Sequence, residues 1–232
     1  MTFNIYVASY HRWNTTTVWK YLEYCTYVVR KSEEEAYRSV GIQNILAVED
    51  DLICSFVKVH NWLIENAPED VICVLDDDIE TFYYRLSRKE KLKNPVTITR
   101  EMERFGQILV DLDLGLLGSP ITAIPYYRTE FKFTGTIGPI RIYNRAKLKS
   151  RYIEMPFFTD TDFVLQEILN NRIILHPEYF VSDAHLEVNK GGMNMARHKR
   201  NQNESYRKLK IKWGKYVHYN PKNNVTKIVV PR

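Results

Sequence analysis

The sequence predicts an α/β protein with a mainly parallel sheet flanked by helices in a single domain. Four strand-like segments alternate with three helix-like segments before residue 76, an order that favours parallel strands joined by right-handed crossovers. The last of these strands, residues 71–75, consists of five consecutive apolar residues, which is typical of a strand buried on both faces. The length of 232 residues and the 44% of hydrophobic residues suffice for one sizeable core.

The first half of the chain supplies the parallel part of the predicted sheet. The predicted strands lie at residues 3–8, 26–29, 45–48 and 71–75. The predicted helices between them lie at residues 15–23, 32–40 and 53–66. The second helix should end at Gly41, because glycine readily takes the left-handed conformation that follows a helix. Pro68 should end the third.

The second half predicts a mixed topology. Residues 85–95 read as a charged loop, and a helix should follow and end near Gly115. Residues 122–133 and 136–143 alternate irregularly and predict strands added to the sheet. A further helix begins at the acids Asp160 and Asp162, where the positive end of the helix dipole favours negative charge.

Three carboxylates stand at the end of the central strand, on Asp76, Asp77 and Asp78. Their mutual repulsion costs stability, so a multivalent cation is a natural way to compensate their charge. In an extended chain Asp76 and Asp78 face the same side, whereas Asp77 faces elsewhere. Open α/β sheets bind ligands at this end of their strands, which favours a metal site over a solvated acidic turn.

The net charge of +5 is unevenly distributed. Residues 187–232 contain twelve Lys and Arg against two Glu, a net charge of +10, which leaves −5 for residues 1–186. Cations beside Tyr206, Trp213, Tyr216 and Tyr219 are what a nucleic-acid surface needs, since cations neutralise phosphates and aromatic rings stack on bases. A solvated surface helix is the alternative.

The remaining composition indicates a cytoplasmic protein without a membrane span. No apolar run is long enough to cross a bilayer, and the first residues lead directly into a strand-like segment. Cys25, Cys54 and Cys73 are odd in number and widely spaced, as expected of reduced cysteines in the cytosol.

The order of these features resembles the GT-A-fold nucleotide-sugar glycosyltransferases over roughly residues 3–200. It rests on the Asp-x-Asp of Asp76 and Asp78 after the fourth strand, the later acids that open a helix, and His185 near the end of the core. The resemblance implies a GT-A-like, Rossmann-like fold. It places a nucleotide-sugar half at about residues 1–80, an acceptor half at about 81–186 and a basic loop and tail at 187–232.

The resemblance also implies the donor and its cation. The donor would be a nucleoside-diphosphate sugar, with UDP-sugars and UDP-glucose favoured, held with Mn²⁺ or Mg²⁺. Asp78 would bind the metal directly, Asp76 would reach the ribose or the metal through water, and Asp77 would contact the sugar or support the site. Contacts to the base and ribose carry over to Ala8, Ser9, Arg12 and Asp50.

His185 is the third metal ligand that the resemblance implies, although a hydrogen-bonded structural histidine is the alternative. Gly191 and Gly192 would form a loop that closes over the diphosphate. Arg197 would then contact the phosphates, or else belong to the general basic surface.

The resemblance favours inverting over retaining transfer and leaves both open, and inversion needs a carboxylate to take the proton of the acceptor hydroxyl. Asp160 and Asp162 are the two candidates for this base. Asp162 occupies the usual position at the start of the helix, but Thr161 stands where Glu is usual, so Asp160 stays open. Both acids could instead act only as helix caps.

The acceptor half carries an aromatic and basic cluster of Tyr126, Tyr127, Arg128, Phe131, Lys132 and Phe133. With the basic tail, it is similar to the phage-encoded, TET-associated glycosyltransferases. This resemblance implies an acceptor such as 5-hydroxymethylcytosine in bacteriophage DNA, modified in the host cytoplasm. The alternatives are a saccharide or lipid-precursor acceptor and a non-catalytic nucleic-acid-binding protein. A nucleotidyltransferase is disfavoured because residues 9–14 lack its Gly-rich signature.

Overall fold

The structure is a computed structural model that describes residues 1–85, 89–120, 129–184, 199–220 and 225–231. The strands are β1 Phe3–Ala8, β2 Thr26–Arg30, β3 Ile45–Val48, β4 Val71–Asp76, β5 Ile79–Arg85, β6 Lys89–Leu92, β7 Leu116–Gly118, β8 Phe131–Lys132, β9 Ile140–Asn144, β10 His176–Pro177, β11 Phe180–Ala184, β12 Val217–Asn220 and β13 Val225–Ile228. The helices are α1 Glu34–Ser39, α2 Phe56–Asn66, α3 Pro95–Asp111, α4 Thr159–Asn171 and α5 Lys199–Trp213. Short 3-10 helices span Val18–Tyr21, Lys31–Glu33 and Gly214–Tyr216.

The main sheet has six strands in the order β3-β2-β1-β4-β9-β7. The four strands from the first half are parallel, whereas β9 runs antiparallel to both of its neighbours. The predicted mixed, mainly parallel sheet is therefore confirmed. The register pairs Ala8 with Asp76, so β1 and β4 end side by side at the edge where the acids follow.

Helices cover both faces of this sheet, and β4 lies at the centre. Every residue from Val71 to Leu75 is fully inaccessible to solvent. Val71, Cys73 and Leu75 pack into one cluster with the apolar side of α3, while Ile72 and Val74 pack into another with α2 and α4. This alternation explains why all five positions are apolar, as the sequence indicated.

Local signals mark the start of α2 and the end of α1. Ser55 caps α2 by accepting a hydrogen bond from the Lys58 amide at 3.1 Å, and Gly41 after α1 has a φ of +95°. The helix predicted from residue 32 begins instead at Glu34, after a 3-10 turn. The amide and hydroxyl of Ser32 both donate to the Asp50 carboxylate in the loop after β3. The hydroxyl is therefore not available to cap the helix.

One prediction for the second half was wrong. The segment predicted as a charged loop contains the end of β5 and all of β6, which form a three-stranded sheet with β11. Arg85 is buried and donates to the Glu178 carbonyl, whereas Glu90 and Lys91 are exposed and Lys89 pairs with Asp183 at 2.7 Å. The sequence also missed β7, which is too short to show a period. Of the strand predicted at residues 122–133, only Phe131–Lys132 is a strand in the described part, and residues 121–128 lie outside it.

The segment predicted as a basic loop and tail is folded over most of its described length. It contains α5 and the β12–β13 hairpin. Leu209 of α5 and Val217 and Ile228 of the hairpin join the core cluster on the α4 side of the sheet. Ser205 is buried and accepts a hydrogen bond from the Phe157 amide. Within the described ranges, each helix falls short of the length and apolar character that crossing a membrane requires.

Candidate functional site

The acids after β4 lie where the carboxyl ends of the parallel strands meet. Asp76 is the last residue of β4, and Asp77 and Asp78 form the turn that leads into β5. Asp77 is buried, whereas the side chains of Asp76 and Asp78 are 33% and 15% exposed. Asp77 is therefore less accessible to solvent than its two neighbours.

Asp77 is held by the loop that follows β1. Its carboxylate accepts hydrogen bonds from the Ser9 hydroxyl at 2.5 Å and from Arg12 Nη1 at 2.5 Å. The Thr16 hydroxyl donates to the backbone carbonyl of Asp77 at 2.8 Å. Burial raises the pKa of Asp77 to about 6, although Arg12 and Ser9 act in the opposite direction. Asp77 thus fixes the geometry of the turn.

Arg12 joins two of the acids. Its Nη1 also donates to Asp78 Oδ2 at 3.1 Å, and its side chain is only 12% exposed. Tyr37 supports this arrangement because its hydroxyl bonds Ser9 Oγ and accepts from the Arg12 amide. The side chains of Ser9 and Arg12 are therefore engaged with Asp77, and their contact to a nucleotide, with that of Ala8, stays a prediction.

Asp76 is paired from the other side of β4. Arg141 Nη1 on β9 donates to Asp76 Oδ1 at 2.7 Å, and Arg141 Nε lies 3.6 Å from Asp160 Oδ1. Although burial opposes the charge, Asp76 and Asp160 hold the pKa of Arg141 well above its usual value. Sequence reasoning missed this residue. The available signal was one cation inside an otherwise uncharged strand, Ile140–Asn144.

The two candidate bases lie in different surroundings. Asp160 contacts Arg141 at the edge of the site, and burial raises its pKa, with a further contribution from Asp76. Asp162 is fully buried and accepts hydrogen bonds from Trp213 Nε1 at 2.7 Å and from Gln166 Nε2 at 2.6 Å. Lys212 Nζ pairs with it at 2.8 Å. Asp162 therefore anchors α5 to α4.

Asp50 follows β3 at the same edge of the sheet. Its carboxylate accepts from the Ser32 hydroxyl at 2.5 Å and from the Ser32 amide at 3.1 Å, and these bonds lower its pKa. Asp50 therefore braces the loop after β2 against the loop after β3. The contact between Asp50 and the nucleobase of the donor stays a prediction.

Several predicted residues lie outside the described part of the chain. These are Tyr126, Tyr127, Arg128, His185, Gly191, Gly192 and Arg197. Among the residues that are described, no three His, Cys, Asp or Glu side chains are grouped so as to hold a metal ion. Asp76 and Asp78 are therefore the described part of the predicted metal site.

The charges of the site are partly compensated by protein groups, which corrects the expectation that the acids rely on a cation. Four carboxylates, of Asp76, Asp77, Asp78 and Asp160, face the guanidinium groups of Arg12 and Arg141. The formal balance of −2 matches one divalent cation. After burial, the charge of Asp76 contributes to raising the pKa of Asp78, so the two carboxylates are close enough to interact. Their oxygen atoms are the donors that Mg²⁺ and Mn²⁺ prefer, and the residues fit such an ion.

No protein-family model matches the sequence, and no curated protein matches it. Among solved structures, the chain is similar to glucosyl-3-phosphoglycerate synthase from Mycobacterium tuberculosis in complex with Mn²⁺ and uridine-diphosphate-glucose. The TM-score is 0.57 and the identity 8%, over 98% of this chain and 86% of that one. The same synthase with Mg²⁺ and uridine-diphosphate gives a TM-score of 0.55 at 8% identity, over 98% and 87%.

Staphylococcus aureus TarS 1-349 matches 78% of the chain at 16% identity with a TM-score of 0.48, and the chain spans 60% of its length. The likeness to the synthase shows a shared fold. The GT-A-like fold predicted from the sequence is thereby confirmed.

Replacing Arg12 by Gln should destabilise the protein, because Asp77 then loses the cation that balances its buried charge. We expect the free energy of unfolding to fall by roughly 3–5 kcal/mol, as for broken buried ion pairs. Urea denaturation measures it. Arg38→Gln is the matched control, since it breaks an exposed pair with Glu34 four residues away and should cost less than about 0.5 kcal/mol. Equal losses in both variants would show that the Arg12 pairs contribute no more than a surface pair.

Proposed function

We propose that the protein is a metal-dependent glycosyltransferase that moves a sugar from a nucleoside-diphosphate sugar to a hydroxyl acceptor. The observation that carries this proposal is the pair Asp76 and Asp78, which presents oxygen ligands at the carboxyl ends of parallel strands. The fold is shared with a synthase whose structures contain Mn²⁺ with uridine-diphosphate-glucose. UDP-glucose is accordingly the favoured donor.

Asp78 and Asp76 would hold Mn²⁺ or Mg²⁺, with His185 as the third ligand. When bound, this ion supplies the positive charge that stabilises a departing diphosphate. Asp77 would keep both neighbours in place through Ser9 and Arg12. Ala8, Asp50 and the backbone near Ser9 would border the nucleoside, and Gly191, Gly192 and Arg197 would cover the phosphates.

Asp160 is the better candidate for the base. It faces the guanidinium that also binds Asp76, and burial raises its pKa, which makes its carboxylate a better proton acceptor. The carboxylate oxygens of Asp162 are instead bound by Lys212, Trp213 and Gln166. With Asp160 as base, the acceptor oxygen would attack opposite the diphosphate, which gives inversion.

For the acceptor we propose a hydroxymethylated pyrimidine in DNA, such as 5-hydroxymethylcytosine. The support is the outer face of α5, where Arg207, Lys208 and Lys210 are exposed. Lys212 on the same helix is held by Asp162, so this cationic face has a fixed position relative to α4, which carries Asp160. A phosphate backbone is the partner that these exposed cations attract, although Lys208 is also paired with Glu204 at 3.3 Å.

The test of the proposed function is a mass-spectrometric screen of sugar nucleotides against DNA that contains 5-hydroxymethylcytosine. We expect hexose transfer from UDP-glucose with Mn²⁺ or Mg²⁺, loss of transfer after EDTA treatment, and recovery when the ion is returned. Saccharide acceptors are screened in parallel. Transfer to a saccharide alone would keep the glycosyltransferase and overturn the DNA acceptor, whereas no consumption of any sugar nucleotide would overturn both.

Asp160→Asn and Asp162→Asn should separate chemistry from anchoring. Loss of a general base lowers rates by about 10²- to 10⁴-fold, so we expect that decrease in kcat for Asp160→Asn with donor affinity retained. Asp162→Asn should mainly lower the thermal unfolding temperature, because the ion pair between residue 162 and Lys212 is lost. Steady-state kinetics and thermal denaturation of both variants measure this. The reverse pattern would make Asp162 the base.

Charge reversal of Arg207, Lys208 and Lys210 to Glu should weaken DNA binding on all sequences alike. If each cation neutralises one phosphate, the slope of log K against log salt should become shallower by roughly 3. Fluorescence anisotropy across salt concentrations measures both effects, while hydrolysis of the sugar donor stays unchanged. The control replaces Lys20, Arg38 and Lys91 by Glu. These three residues are exposed and lie outside the segment 187–232, and their replacement changes the net charge by the same amount. Equal weakening by both sets would point to net charge and away from α5.

A further inference from the structure

Arg141 occupies an unusual position for a charged residue. It lies at the second position of β9, a strand in which all five residues are buried, and it is itself only 4% exposed. Its guanidinium lies over the Phe56 ring, 5.2 Å from the ring centre. A charge that is this deeply buried is retained only when partners compensate it, and those partners are Asp76 and Asp160.

The two partners are held unequally. Arg141 Nη1 makes a hydrogen bond to Asp76 at 2.7 Å, whereas Nε faces Asp160 Oδ1 at 3.6 Å, beyond hydrogen-bond range. Both Nε and Asp160 Oδ1 are buried, and neither has a hydrogen-bond partner among the described residues. A displacement of less than about 1 Å would bring this pair to hydrogen-bond distance. Arg141 therefore forms a hydrogen bond with Asp76 and lies just beyond hydrogen-bond distance of Asp160.

We propose that Arg141 is a positioning residue that fixes the spacing between Asp76 on the donor side and Asp160 on the acceptor side. The inference rests on the proposed function, since it takes Asp76 as a ligand of the donor's cation and Asp160 as the base. A guanidinium is suited to this role because its donors form a rigid planar fork, which lysine lacks. Misplacement of a reacting group by about 1 Å can lower a rate by roughly 10²-fold.

Arg141 also competes for Asp76. A cation that binds Asp76 Oδ1 would share that oxygen with the guanidinium, which donates to it through Nη1. Removal of the guanidinium should therefore leave the affinity for Mn²⁺ with UDP unchanged or higher, while transfer becomes slower. A purely structural arginine would behave differently, because a loosened site loses affinity and rate together.

The experiment measures Mn²⁺ binding in the presence of UDP by electron paramagnetic resonance, alongside kcat and KM for transfer. For Arg141→Gln and Arg141→Lys we expect affinity equal to or above that of the parent and a kcat at least tenfold lower. Arg145→Lys is the matched control. Arg145 is the residue that follows β9, and its guanidinium donates to the backbone carbonyls of Ile64, Glu65 and Glu69. We therefore expect kcat and Mn²⁺ affinity to stay at the parent values even where stability falls.

The proposal is overturned if Arg141→Lys keeps the parent kcat, or if kcat and Mn²⁺ affinity fall in the same proportion. If neither Arg141 variant folds, Phe56→Leu removes the ring beside the guanidinium and should lower kcat at least threefold with affinity retained. An unchanged kcat in that variant would then overturn the proposal. A parent protein that neither binds Mn²⁺ with UDP nor consumes a sugar nucleotide would instead overturn the proposed function.

Discussion

The structure depends on how three adjacent acids are compensated at the end of its most buried strand. β4 has two neighbours in the sheet, and each contributes one arginine. Arg12 follows β1 and binds Asp77 and Asp78, while Arg141 on β9 binds Asp76. The repulsion between the three carboxylates of this turn is thus reduced by an arginine on each side of β4. The remaining negative charge faces the open edge of the sheet, where a cation and a phosphate group would meet it.

The predictable part of the fold is the part encoded by local patterns. The run of apolar residues in β4 and the alternation of strands and helices predicted the parallel half of the sheet and the position of the acids. The partners of those acids were not predictable, because Arg12 and Arg141 each lie 65 residues from the acid they bind. Which arginine reaches which acid depends on strand order, and the insertion of the antiparallel β9 beside β4 leaves no local signal.

The spacing Asp-x-Asp is found both in the β4 turn and in α4, and the two backbone conformations orient its acids differently. In the β4 turn, Asp76 and Asp78 stay partly exposed while Asp77 is buried between them. In α4, successive residues are rotated by about 100°, so Asp160 and Asp162 point to nearly opposite sides of the helix. Asp160 reaches Arg141 and Asp162 reaches α5. Helical geometry alone predicts that the two acids do not share a role. It does not predict which of them faces the site, because that requires knowing what packs on each side.

The basic C-terminal segment shows why charge composition cannot be read directly as a binding surface. Lys212 pairs with the fully buried Asp162 although its own side chain is 41% exposed, and Leu209 packs into the core cluster on the α4 side of the sheet. Removing such a partner leaves an uncompensated buried charge, which costs about 3–5 kcal/mol, so this ion pair resists detachment of α5. The outward cations are then carried by a helix attached to α4. Since α4 also carries Asp160, a polyanion bound along α5 would be held at a defined distance from the proposed base, and the same contact that stabilises the fold would align an acceptor with the site.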